Sequence, residues 1–349
     1  MLKYKCGFYI FAILFAFIVS PSQGLAAAAA PKAKIIVAKS GGNYTTITAA
    51  LNAITPSASN PYIIEVWPGT YAENITMKSY VTLQGSGTSV TVIRSPTTAG
   101  YLVNVIEIGS LTGVSIAGFT ITGSGGYGAG INISTGASSV SIRNNTITGN
   151  IFGGITTRSP TTIMDNTITS NGNDGISFDS AQTIRDNIIS NNGSDGIDCY
   201  TPDSEVIITG NTISGNSIHG VQCNVASMTF TNNTVTGNGG TTGSYYAVQL
   251  YSKNGMISGN KITDNKGHGI ETGSWWGGLV TVTDNKITGN GGTGIFDNPG
   301  MVILHNNITN NGLDVSANNL SSISFNVFDT TAGVVKGAYN LKSDATPWP

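Results

Sequence analysis

Two short stretches, "NNGSDGIDC" (residues 191–199) and "KGHGIETGS" (266–274), gather side chains suited to proton transfer. The first supplies Asp195 and Asp198 and the second His268 and Glu271, while "GNSIHGVQC" (215–223) adds His219 and Gln222. A carboxylate held beside an imidazole serves as a general acid and base pair or holds a metal ion, because the carboxylate orients the ring and the ring exchanges protons near neutral pH. Asp and His beside Gly are also ordinary turn residues. Chemistry therefore requires a fold that brings these distant positions together.

The repeat pattern provides such a fold. From residue 142 onward one phrase recurs, approximately I-x-x-N-x-I-x-x-N-x-x-x-G-I, as in "IRNNTITGNIFGGI", "IMDNTITSNGNDGI" and "IRDNIISNNGSDGI". Its first asparagine falls at Asn145, Asn166, Asn187, Asn211, Asn233, Asn260, Asn285, Asn306 and Asn326, at steps of 20 to 27 residues. Ile alternates with Thr or Ser as in short strands, and Asn or Gly ends each strand where left-handed backbone is needed. One repeat cannot bury its own isoleucines, so the repeats must stack as the coils of an all-β parallel β-helix. The asparagines then form a ladder along the axis, with Phe119 in the ladder position of an earlier, degenerate repeat. Strands near 81–84, 90–93 and 103–108 supply the preceding coils. Roughly twelve coils are expected, giving a rod of about 55 Å at the strand spacing.

The ends differ. Residues 1–30, with Lys3 and Lys5, an apolar run from Phe8 to Val19 and the tract Ala26 to Ala30, have the layout of a secretory signal peptide. Residues 31–80 are expected to form an N-terminal cap and the first strands, 81–326 the β-helix repeats, and 327–349 a C-terminal cap or tail. "YTTITAALNAI" (44–54) predicts a short capping helix, with Thr45 or Thr46 as its cap and Ile47, Ala50, Leu51 and Ile54 on its buried face. No later segment has the length of a membrane span. These features predict an exported protein, secreted or periplasmic, with no membrane span in the mature chain, and a monomer. Without residues 1–30 the chain keeps 14 basic and 18 acidic residues, which gives no electrostatic footprint for nucleic acid.

Stacking turns the sequence into a grid. The position before the repeat glycine reads Gly153, Asp174, Asp195, His219, Tyr246, His268, Thr293 and Asp314. The outward position after the following Ile or Val reads Thr156, Ser177, Asp198, Gln222, Gln249, Glu271 and Phe296. Asp174, Asp195 and His219 are the candidate catalytic residues, because neighbours one coil apart are close enough to share a proton. Asp198, Gln222, Tyr246, Gln249, His268, Glu271, Trp275 and Trp276 are the candidate ligand-binding residues. Aromatic faces flanked by hydrogen-bonding groups suit a polysaccharide or cell-surface glycan, whose C–H faces stack on rings while its hydroxyls need polar partners. A solvated face with aromatic insertion loops is the alternative, and it corresponds to a noncatalytic surface, adhesion or assembly solenoid. Turns such as "NGNDG" (171–175) leave calcium open; no other metal or cofactor is expected. Cys199 and Cys223 fall on one inward column of adjacent coils, so either a disulfide or a stacked pair of thiols fits.

Two stretches carry a family resemblance. "IIVAKSGGNYTTITAALNAI" followed by "YIIEVWPGTYAENITMKSYVTLQGSG" resembles the opening of pectinesterases of the pectin lyase-like superfamily, and the repeats resemble right-handed parallel β-helix repeats such as those of NosD-like proteins. The resemblance implies a right-handed β-helix and, if the chain is an enzyme, a polysaccharide lyase, glycoside hydrolase or epimerase. The activity motifs are incomplete. No D-F-I-F-G, G-R-P-W, W-x-D-H, R-x-P-x-x-R or D-P-H-D segment occurs. Asp195 matches the first acidic element of polygalacturonases and "KGHGIETGS" their G-H-G, yet Asn216 and Ser217 stand where the paired aspartates belong and no R-I-K follows. An inverting hydrolase needs one carboxyl as acid and another as base, so the polygalacturonase mechanism lacks its parts here.

Overall fold

The computed structural model describes residues 33–240, 245–273, 278–297, 300–316, 322–328 and 331–332. Almost every element is a short strand, and nearly all pairings are parallel between residues one repeat apart. A representative coil runs Ile155–Thr157, Thr161–Met164 and Thr167–Thr169, three strands separated by tight corners. The first and second strands of successive coils merge into a 22-stranded sheet, while the third strands build a separate sheet of twelve. The result is a parallel β-solenoid of about ten turns, its second sheet stacking twelve strands against the roughly twelve coils expected.

Alternation along each strand decides what is inside. In the third strands the central residue is fully buried on every coil, as at Ile147, Ile168, Ile189, Ile213, Val235, Ile262, Ile287 and Ile308. Burying each such side chain is worth about 1.5–3 kcal/mol, and each column repeats that gain coil after coil. The corner before the third strand is shaped by a left-handed residue, for example Asp165 (φ 56°) and Asp186 (φ 58°), followed by a ladder asparagine.

That ladder is saturated with hydrogen bonds. The Asn166 amide nitrogen donates to Ile142 O (2.9 Å), Met164 O (2.9 Å) and Asn187 Oδ1 (3.1 Å). Its Oδ1 accepts from the backbone and side-chain nitrogens of Asn145 (3.0 and 3.2 Å). Phe119 caps the column, buried, with its backbone N–H on Asn145 Oδ1 (3.1 Å). A second ladder runs at the opposite end of the third strand through Asn150, Asn171, Asn192, Asn216, Asn238, Asn265, Asn290 and Asn311, with the same side-chain bond between coils.

At the N-terminal end the helix Ile47–Asn52 covers the first coil. Thr46 is the cap, accepting from Ala49 N, and Ile47, Ala50, Leu51 and Ile54 are buried as the sequence predicted. The carboxylate of Glu73 takes the backbone N–H groups of Ile47 and Thr48 at 2.9 and 2.8 Å, tying the helix start to the solenoid. Residues 1–30, with the expected signal peptide, and residues 333–349, most of the expected C-terminal tail, lie outside the described residues. Among the described residues no helix is long and apolar enough to cross a membrane.

Candidate active site on the turn beside the first strands

The candidate residues occupy the corner that leads from the third strand of one coil into the first strand of the next. The outward column has the expected register: Thr156, Ser177, Asp198, Gln222, Gln249, Glu271 and Phe296 are successive Cα partners. The turn column is also reproduced, with one correction. Thr293 pairs with Leu313, so Asp314 lies opposite Gly294, one place out of phase with His268 and Thr293. The Asp314 carboxylate instead accepts from the backbone and side-chain nitrogens of Asn311 (3.1 and 3.0 Å), at the end of the second asparagine ladder.

The three candidate catalytic residues are linked coil to coil. Asp174 Oδ1 accepts the backbone N–H of Asp195 (3.1 Å), and Asp195 Oδ1 accepts that of His219 (2.6 Å). The same Asp195 oxygen lies 3.0 Å from His219 Nδ1, so the ring donates through Nδ1–H and keeps Nε2 for another partner. All three side chains are buried or nearly so. Close stacking is possible because Gly196 follows Asp195: a Cβ there would lie 2.5 Å from Gly220 O and 2.7 Å from an Ile213 methyl.

Electrostatics follow from this crowding. Burial pushes the Asp174 carboxyl up, hydrogen bonds from the Asp195 backbone and Ser194 side chain oppose that, and the Asp195 charge adds to it. Asp198, on the strand that starts beside Asp195, is pushed up to about 6, first by burial and then by the charges of Asp174 and Asp195, with His219 acting in the opposite direction. Its carboxyl therefore exchanges protons far closer to neutrality than an ordinary aspartate does.

The next coils are aromatic. His219 stacks over Tyr246 (ring centroids 6.3 Å apart), Tyr246 over His268 (4.9 Å), and Phe296 meets His268 edge-on (4.8 Å). His268 Nδ1 accepts the Thr293 backbone N–H (2.8 Å), which makes this ring the neutral Nε2–H tautomer; burial lowers its pKa in the same sense, against a smaller upward pull from Glu271. Gln249 donates to Glu271 Oε2 (2.6 Å), and Tyr246 and Tyr251 also hydrogen-bond Glu271. Burial is the first cause raising both tyrosines, followed by Glu271. Tyr251, one of the aromatics the sequence places on this stretch though outside the candidate ligand-binding residues, sits one outward place beyond Gln249. Trp275 and Trp276 lie outside the described residues.

Cys199 and Cys223 are direct Cα partners, and both are free buried thiols. Burial, then the hydrogen bond its S–H donates to Cys199, raises the Cys223 thiol well above its usual range. Among the described residues no group of three or more His, Cys, Asp or Glu side chains is arranged to hold a metal ion.

The chain matches the family of the right-handed β helix region over residues 79–235 and 219–339, and it belongs to that family. Among solved structures it is similar to the A-modules of two Azotobacter vinelandii mannuronan C-5 epimerases. For AlgE6 the identity is 15%, covering 86% of this chain and 95% of that one with a TM-score of 0.60; for AlgE4 the values are 16%, 85%, 90% and 0.58. It is also similar to the catalytic domain of a GH87 α-1,3-glucanase solved in complex with tetrasaccharides (12% identity, 91% of this chain, 69% of that one, TM-score 0.52). At these identities the likeness establishes the fold. No curated protein sequence matches the chain.

Proposed function

We propose that this protein acts outside the cytoplasm on a linear polysaccharide, binding it along the turn face between Asp174 and Phe296 and transferring protons there. One observation carries the reading: the Asp195–His219 pair, with its free Nε2, stands directly beneath the Tyr246–His268–Phe296 ring stack and next to a carboxyl that titrates near 6. Rings to stack on the sugar, groups to hydrogen-bond its hydroxyls and a proton-exchanging pair together suit a glycan-processing site. The fold neighbours named for mannuronan epimerase and α-1,3-glucanase activity support a polysaccharide as the substrate in general; the charge of the face selects among polysaccharides.

In this reading Asp195 orients His219, whose Nε2 accepts or returns a proton, and Asp198 is the second proton-exchanging group. The columns also favour a polymer without carboxylates. They bring together Asp174, Asp195, Asp198 and Glu271 and contain no lysine or arginine; between Asp174 and Phe296 the cation nearest to them in sequence is Lys266, exposed in the turn leading to His268. A polyuronate would meet like charge along the face.

Affinity electrophoresis in gels carrying neutral glucans, chitosan, pectin or alginate tests the proposal. Retardation by a carboxylate-free polymer is expected, with turnover lost in Asp195→Asn while retardation persists. Free migration through every gel would overturn it. The noncatalytic solenoid is the second reading, favoured by the fact that Asp174 and Asp195 spend an oxygen on backbone N–H groups as turn-capping side chains do; binding with no turnover in the unmodified protein would select it.

A further inference from the structure

The same edge carries aromatics that the fold does not use. Tyr101 is 80% exposed and Tyr127 58% exposed, yet their rings pack on each other at 5.0 Å, and Tyr127 meets Phe152 edge-on at 5.5 Å. Large rings left in water on consecutive coils contribute little to the core, and clustered exposure of this kind marks a binding surface. The backbone holds the row in place: Tyr127 N–H donates to Tyr101 O (2.8 Å), and the turn around Tyr127 is packed so closely that a Cβ at Gly128 would lie 2.2 Å from Val103 O.

The row leads directly into the candidate active site. Asn173 donates its backbone N–H to Phe152 O (2.7 Å) and its side-chain amide to Asp174 Oδ2 (3.0 Å). Beside it the outward column continues without a break, Glu107 to Asn132 to Thr156, before reaching Ser177 and Asp198. At ~4.8 Å per coil the edge from Tyr101 to His268 is about 34 Å long.

We infer that Tyr101, Tyr127 and Phe152 form a stacking platform for the part of a linear polysaccharide that extends beyond the reacting sugar toward the N-terminal end of the rod. This rests on the proposed glycan site and extends it. The ring spacing of one coil is of the order of the advance of one pyranose along an extended chain, so successive sugars meet successive rings. The neighbouring column is polar: Glu107 accepts from Asn132 and Ser134 (2.9 and 3.0 Å), which supplies the hydroxyl partners that a purely apolar protein-docking patch lacks.

The test compares the unmodified protein, Tyr101→Ala and Tyr127→Ala on the polymer that retards the unmodified protein and on short oligosaccharides cut from it. Both variants change exposed side chains, and circular dichroism verifies their folding. Binding of the long polymer is expected to weaken roughly tenfold in Tyr127→Ala, the loss of one good aromatic contact, with turnover of short fragments unchanged. Unaltered binding of the long polymer overturns the platform and leaves the proposed site standing. So does a shift from dimer to monomer in Tyr127→Ala with polymer binding intact, because the rings would then join two copies of the chain. Failure of the unmodified protein to bind any polymer removes both proposals.

Discussion

The asparagine ladders and the Asp–His edge use the same device for different ends. At both, a side-chain oxygen takes a backbone N–H from the neighbouring coil: Asn187 Oδ1 from Asn166, and Asp195 Oδ1 from His219. In the ladder every coil repeats the residue and its oxygen and amide are saturated within the protein. Along the Asp–His edge the residue is not held constant: Asp174 and Asp195 give way to His219, Tyr246, His268 and Thr293, and most of the groups introduced titrate. Repetition therefore marks what holds the solenoid together, and departure from it marks what the solenoid presents.

The largest effect is expected in the ladder. Asn211 donates to Ile184 O, Thr209 O and Asn233 Oδ1 and accepts from the backbone and side chain of Asn187. Asn211→Ala strands several buried groups, each costing about 1–3 kcal/mol, so a loss of about 3 kcal/mol or more is expected in urea unfolding. A loss below about 1 kcal/mol would erase the distinction from the other edge.

Asp195 separates stability from chemistry. Asp195→Ala removes the acceptor for His219 N–H and Nδ1–H and is expected to cost about 2 kcal/mol. Asp195→Asn keeps an oxygen there and is expected to be milder, while turnover falls about a hundredfold or more as the charge that orients and supports the imidazolium is lost. Full activity in Asp195→Asn would make Asp195 only another turn-capping residue.

The grid was legible because its period is physical. Each coil must return its isoleucines to one core, so equal offsets from the asparagine had to become vertical neighbours, and the outward column from Thr156 to Phe296 followed. Asp314 slipped because spacing alone does not reveal a turn shortened by one residue. The second ladder stood in the same phrase as the first but competes with ordinary turn chemistry. Tyr101, Tyr127 and Phe152 obey no repeat, since they decorate irregular turns that bury nothing periodic. His305, which lies outside both polar columns, is the left-handed corner residue (φ 54°) before Asn306, a post that Asp165 and Asp186 fill elsewhere.

A pH scan sharpens the comparison further, since ladder asparagines do not titrate. Asp198 has its folded pKa raised to about 6, so the folded state binds the proton more tightly than the unfolded chain does. Its contribution is therefore most favourable when protonated, and stability should fall as pH rises from about 4 to about 6, the ordinary and raised values. Asp174, also raised, adds a slope of the same sign. Asp198→Asn is expected to flatten the profile, measured as thermal midpoint against pH, and to remove any activity step near pH 6. An unchanged profile would place Asp198 in open solvent.

The smallest effect should come from the opposite end of the first strands. Arg158 and Asp179 lie on the same coils as Asp174 and Asp195 but at the next corner, 3.7 Å apart with side chains 55% and 53% exposed. An ion pair so open to water is worth at most about 0.5 kcal/mol, so Arg158→Ala should barely move the unfolding midpoint. It should also leave polymer binding and turnover untouched, because charge at that corner is screened from the Asp–His edge by solvent. A clear loss of binding in Arg158→Ala would extend the ligand across the whole first strand. The boundary between scaffold and site would then run along the sheet face rather than the turn.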